Sequence, residues 1–139
     1  MRGVFAGSGS RRGAARSGAR AGGRGRAPDL GDVVYHAPPR FSRRALVSAV
    51  RRLLSGRVEQ AYLFGSYARN EAADTSDVDV IVVANTRRAW PDRGHDFGDL
   101  FAELGPTDLL VYTPAEWEAL LDQPTAFIQR AQAEWIRLL

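Results

Sequence analysis

The sequence predicts an α/β (or α+β) domain, with helices packed on a small sheet. Three observations carry this. Helix-period and strand-period segments alternate along residues 41–139. The strand-like runs are short and bounded by Gly, Pro, Asp and Ser. No internal repeat is visible, and the order reads αβαβαβαα, which calls for helices layered on a sheet.

Each element has its own warrant. Residues 41–54, FSRRALVSAVRRLL, form a helix with Ser42 as cap and Gly56 as stop. Leu46, Val47, Val50, Leu53 and Leu54 share one face, and Arg43, Arg44, Arg51 and Arg52 lie largely off it. Residues 58–64, VEQAYLF, read as a strand that Gly65-Ser66 breaks. A short helix is expected at about 67–72 and a turn at Asp74-Thr75-Ser76. The strongest strand is 77–83, DVDVIVV, which begins alternating and ends fully apolar, as a central strand does. Residues 85–95 hold Trp90-Pro91 and Gly94 and read as loop. Residues 96–104 are a helix carrying Phe97, Leu100, Phe101 and Leu104, and 107–112, TDLLVY, a third strand. Thr113, Pro114 and Glu116 give a capped helix start with Pro at the first position and a capping box. A last helix follows Pro124, its stripe being Phe127, Ala131, Trp135 and Leu138.

Composition excludes several chemistries. The chain of 139 residues suits one domain. It has no Cys, so disulfides, thiol catalysis and Cys-ligated zinc are out, and two His leave little room for a His-rich metal site. No apolar run approaches the roughly 18–20 residues that span a membrane. All 19 basic side chains are Arg, which removes Schiff-base and P-loop-lysine chemistry.

Charge is segregated. Residues 1–28 contain seven Arg and no acid; residues 29–139 contain twelve Arg and sixteen acids. Gly, Arg, Ala and Ser supply 24 of the first 28 residues, too little apolar surface to offset ordering entropy, so this segment is expected to be a disordered tail. It lacks the apolar core of a secretory signal. It suits a solvated extension, a transit peptide or a basic arm on nucleic acid, and the last is the one route to nucleic acid that the sequence offers. With no export signal, the cytoplasm is the expected location.

The chemistry concentrates in GSYARNEAADTSDVDVIVV, residues 65–83. Residues two apart on a strand share a face, so Asp77 and Asp79 project together while Val78 and Val80 face away. Two carboxylates at the start of a buried strand need positive compensation, and no Lys or His stands near in sequence. A divalent cation is the natural partner, and all-oxygen ligation favours Mg²⁺ or Mn²⁺. If strand 107–112 lies beside 77–83, Asp108 joins the pair; three carboxylates can hold two metals, the arrangement that clamps attacking and leaving oxygens in phosphoryl transfer. Gly65 lets the backbone approach a ligand, a helix start offers N–H groups to phosphate, Ser66 adds a hydroxyl, and Arg69 lies one turn on.

Gly-Ser, ten residues, Asp-x-Asp and a later strand Asp together resemble the signature of the DNA polymerase beta-like nucleotidyltransferase superfamily, in particular its minimal (MNT-type) members, over about residues 41–139. The resemblance implies the nucleotidyltransferase fold, a small mixed sheet of about three strands flanked by helices. It implies that Gly65 and Ser66 bind the triphosphate, that Asp77 and Asp79 ligate Mg²⁺, and that Asp108 completes the metal site. The family often has Gly where this chain has Asn70, a residue that tolerates the left-handed conformation. The reaction implied is attack of an acceptor hydroxyl on the α-phosphorus of an NTP, with ATP expected, and release of pyrophosphate.

The short folded part leads to the expectation of an acceptor brought by a partner. MNT proteins resemble antitoxins paired with HEPN ribonucleases, some of which carry AMP on a tyrosine. Two alternatives stand beside this: a contact-only antitoxin, and transfer to a small molecule. Arg88 and His95 match the HEPN spacing Arg-x₄₋₆-His, but they lie in a Pro/Gly segment with no helical bundle around it, and His36 and His95 read as surface residues. Arg87, Arg88 and Trp90 are either a nucleotide or partner contact or a solvated loop with a packed Trp.

Overall fold

The computed structural model describes residues 37–139. The tail expected over residues 1–28, and His36, lie outside that range. The elements are α1 (Arg43–Leu54), β1 (Gln60–Phe64), α2 (Gly65–Ala68), β2 (Val78–Val83), a 3₁₀ segment (Trp90–Phe97), α3 (Gly98–Leu104), β3 (Thr107–Tyr112), α4 (Pro114–Asp122), α5 (Ala126–Glu134) and β4 (Ile136–Arg137). The described residues form one mixed sheet in the order β3-β2-β1-β4. β1 runs antiparallel to β2 and β4, and β2 runs parallel to β3.

β2 lies inside the sheet and all six of its residues are buried. Its odd and even positions serve two cores. Val78, Val80 and Val82 join Ala61, Leu63 and Val111 against Leu46, Val50 and Leu54 of α1 and Leu100 and Leu104 of α3. Ile81 and Val83 join Tyr62, Phe64 and Leu110 against Trp117 of α4 and Ile128 and Ala131 of α5. This is why the run is apolar rather than alternating: a strand covered on both faces must be so. Asp79 is the exception, a carboxylate on the second face, 6% exposed.

The caps follow the sequence. The Ser42 hydroxyl accepts from the Ala45 N–H. Thr113 and Glu116 form the reciprocal capping box. Glu116 also binds Arg93, 8% exposed, which donates in addition to the Val111 and Arg88 carbonyls. The Arg93 guanidinium, ahead of the cap itself, holds the Glu116 carboxyl below its usual range. Thr113→Ala is expected to cost about 1 kcal/mol, read as a lower urea midpoint at unchanged slope.

Three expectations are corrected. The last helix stops at Glu134, and Trp135 continues in extended conformation into β4. The helical stripe therefore ends at Ala131. Trp135 instead stacks on Tyr62, ring centroids 4.2 Å apart, and Leu138 donates its N–H to the Ala61 carbonyl. The free edge of β1 supplied backbone partners that the periodicity could not anticipate, so the sheet has four strands rather than three. The second correction concerns residues 85–95, where Trp90–Phe97 coil into 3₁₀ turns. In the third, the short helix expected at 67–72 starts earlier and is a single turn, Gly65–Ala68. Among the described residues no helix is long and apolar enough to cross a membrane.

Candidate active site

The β2–β3 register places Asp79 opposite Asp108, and the β1–β2 register places Asp79 opposite Phe64, the residue before Gly65. Parallel pairing puts side chains of registered residues on one face, so Asp79 and Asp108 point together, and Asp77 shares that face from just before β2. The structure thus brings Asp77, Asp79, Asp108 and the Gly65-Ser66 turn to one end of the sheet, where β1 ends and β2 and β3 begin.

Gly65 is buried with φ +77°, and a Cβ built there would lie 2.0 Å from Asp79 Oδ2. A residue with a side chain would occupy the carboxylate's own space, so glycine here serves both the turn and the close approach. Asn70 also has positive φ, at 63°, the conformation its sequence position allows. It lets the chain turn out of α2 toward Asp77.

Asp79 is electrostatically the most perturbed group of the site. Burial, followed by the neighbouring Asp108 and Asp77, pushes its carboxyl up to about 8, with Arg69 opposing and Glu134 adding to the rise. Its Oδ1 is buried and finds no hydrogen-bond partner among the described residues. An orphaned carboxylate oxygen beside two further carboxylates is the donor chemistry of a hard divalent cation. The fit is one of kind rather than a finished cage: among the described residues, no group of three or more His, Cys, Asp and Glu side chains is arranged as a metal site as it stands. Adjacent strands are about 4.8 Å apart, and carboxylates at that spacing repel until a cation draws them in.

Arg69 stands at the end of α2, with its Nε and Nη1 engaged. Nε donates to Glu71, and Nη1 donates to both oxygens of Glu134 at 3.2 and 3.1 Å. The Glu71 hydrogen bond, then Glu134, raises its pKa against the opposing effect of burial. Glu134 Oε2 also accepts the Gly65 N–H at 2.9 Å. Sequence reasoning missed Glu134, which lies 69 residues from Gly65 in the chain. Only the docking of α5 on the sheet brings it there, and no local pattern signals it. Because α2 is one turn long, its anion-binding capacity rests on individual N–H groups rather than on a helix dipole.

Arg87, Arg88 and Trp90 follow the far end of β2, at the opposite end of the sheet from the carboxylates. Arg88 pairs with Asp96, and Trp90 packs on Tyr112 with ring centroids 5.1 Å apart. Trp90 is 39% exposed even so, and the segment does not line the Asp site. His95 is exposed.

Solved structures with a similar chain path include a candidate nucleotidyltransferase from Sulfolobus solfataricus, with 23% identity and TM-score 0.44 over 56% of this chain and 76% of that one. A mutant of the MntA–HpeT toxin–antitoxin pair aligns at 21% identity and TM-score 0.44, over 66% and 70% of the two chains. A complex of an MNT antitoxin with tri-AMPylated Shewanella oneidensis HEPN toxin aligns at 19% identity and TM-score 0.43, over 70% and 71%. No curated protein matches the chain. The family assignment rests on the sequence itself: residues 43–134, well over half of the chain and the whole span from α1 through α5, match the family model of the nucleotidyltransferase domain. With its Gly-Ser turn and its Asp-bearing parallel strands at one end of the sheet, the chain belongs to the nucleotidyltransferase domain family.

Proposed function

We propose that this domain transfers a nucleoside monophosphate, AMP from ATP, to a hydroxyl acceptor with release of pyrophosphate. The observation that carries this is the convergence of Asp77, Asp79 and Asp108 on the Gly65 turn, with Asp79 Oδ1 buried and without a hydrogen-bond partner among the described residues. Gly65 and Ser66 would bind the triphosphate through backbone N–H and hydroxyl, with Arg69 close by. Asp77, Asp79 and Asp108 would hold Mg²⁺, two ions being the arrangement that three carboxylates suit, with Mn²⁺ as substitute. When bound, such ions supply charge neutralisation on the phosphates and acidify the acceptor hydroxyl. The chain's own part is to hold nucleotide and acceptor in line and to place Asp108 to take the hydroxyl proton.

For the acceptor we favour a tyrosine of a HEPN-type partner, which would make the chain the antitoxin of a toxin–antitoxin pair. The MNT-like spacing of Gly65-Ser66 and Asp77-x-Asp79 supports this, and in one structurally similar complex the HEPN toxin is tri-AMPylated. A cytoplasmic location fits such a role.

Calorimetric titration of the full chain with ATP, with and without Mg²⁺, tests the nucleotide site. Binding is expected to depend on Mg²⁺, and Asp77→Asn/Asp79→Asn is expected to lose that dependence. Equal Mg²⁺ dependence in the double variant would remove the carboxylates from the proposal.

A further inference from the structure

We infer that Glu134 is a built-in competitor for the nucleotide's phosphates, holding their donors when the site is empty of nucleotide and leaving with the end of α5 when nucleotide binds. The inference rests on the nucleotide-site reading above and extends it to a residue on a different element.

The Glu134 carboxylate engages the Gly65 N–H and the Arg69 guanidinium at once. One is a backbone donor of the Gly-Ser turn and the other is the cation nearest the site, and together they bind an anion as a phosphate oxygen pair would be bound. A triphosphate cannot use the Gly65 N–H and the Arg69 Nη1 while Glu134 keeps them. The carboxylate is also a third acidic group around Asp79, beside Asp77 and Asp108. Adding a polyanion to that set would be repulsive, whereas exchanging one anion for another keeps the charge near level.

The surroundings of Glu134 suit a movable part. It is the last residue of α5, and the chain beyond it is extended. β4 pairs with β1 at Ile136 opposite Leu63 and Arg137 opposite Tyr62, and the Leu138 and Leu139 backbone adds hydrogen bonds with Ala61. An edge strand of this length opens at lower free energy than the inner strands, although Leu138 is buried against the first core. Trp135 lies between the carboxylate and β4 and rests on Tyr62, so withdrawal of Glu134 is transmitted to that strand. Displacement by nucleotide would thus report at the sheet edge.

The test uses the full chain in calorimetric titrations with ATP and Mg²⁺, comparing wild type, Glu134→Gln and Glu134→Ala. Glu134→Gln keeps the side chain's size and an acceptor for the Gly65 N–H, so the fold is retained. Both variants are expected to bind ATP about tenfold more tightly, the scale of losing one charge-assisted competitor. In wild type, saturation with ATP is expected to speed amide hydrogen exchange over residues 136–139, including the Leu138 N–H. Wild-type binding with unchanged or weaker affinity in both variants, or with unchanged exchange at residues 136–139, would overturn the inference and leave the nucleotide site standing. Absence of ATP binding in wild type and both variants would overturn the nucleotide-site reading and this inference with it.

Discussion

Asp79→Asn is expected to abolish nucleotidyl transfer and, in the metal-free protein, to raise the melting temperature. The two effects have one origin. Asp79 is buried with an oxygen unpaired among the described residues, and burial together with Asp108 and Asp77 lifts its carboxyl to about 8. The amide has the same shape, carries no charge, and can donate to a neighbouring carboxylate. At neutral pH the folding wild type must take up a proton on Asp79, and the amide's freedom from that step is worth about 1–2 kcal/mol. Transfer, in contrast, should fall by about 10³-fold or more, since an amide is a poor substitute for a carboxylate facing a divalent cation. The pH dependence has a definite sign. Between 3.8 and about 8 the folded state keeps a proton that the unfolded chain has released. The contribution of Asp79 is thus fully present below 3.8 and is lost as pH rises through about 8. Melting curves in chelator should show Asp79→Asn gaining on wild type across that interval and holding level above it. Taking the difference between the two proteins cancels carboxyls held low by Arg partners, such as Asp96 and Glu116, whose contributions run the other way. A gap independent of pH would show that Asp79 is not the buried acid described.

Gly65→Ala is expected to cost about 3 kcal/mol and to remove activity with it. A residue with a side chain at φ +77° costs roughly 1–2 kcal/mol. The rest comes from the new Cβ, which would sit 2.0 Å from Asp79 Oδ2 and force the carboxylate out of its position. Two comparisons separate the parts. Gly56 has φ +79° with nothing within 4 Å of a built Cβ, so Gly56→Ala should show the backbone part alone. In an Asp79→Ala background the nearest atom left from that side chain is its Cβ at 3.2 Å, so Gly65→Ala should cost about half as much there. Denaturant midpoints of the four proteins of this cycle give the coupling directly. Equal cost in both backgrounds would mean that Gly65 is held by its backbone and not by its closeness to Asp79.

Much of this site could be read in the sequence because its chemistry is local. Gly65-Ser66 and Asp77-x-Asp79 lie within one strand–turn–strand unit, and strand geometry alone puts both carboxylates on one face. Asp108 needed one added assumption, that its strand lies beside β2, and the parallel register supplies it. The capping box at Thr113 was likewise readable from Thr113, Pro114 and Glu116, all within one turn. Features that depend on distant parts of the chain were not. β4 forms because β1 has a free edge, and its residues carry an apolar spacing that a helix would also show. Arg69 has the right position for phosphate but is bound to Glu71 and Glu134. Glu134 itself reaches the Gly-Ser turn only through the packing of Ile128 and Ala131 on the second face of the sheet. The placement of the Arg87–Trp90 loop at the far end of β2 required the strand direction, not only its existence.

The central claim, that the carboxylates and the Gly-Ser turn form a transfer centre, is tested most directly by label transfer. The full chain is incubated with Mg²⁺ and each α-labelled NTP in a lysate of its source cell, beside Asp77→Asn/Asp79→Asn. The account predicts label from ATP on a discrete protein acceptor with wild type and none with the double variant. Label of equal strength with the double variant, or no label from any of the NTPs, would contradict it.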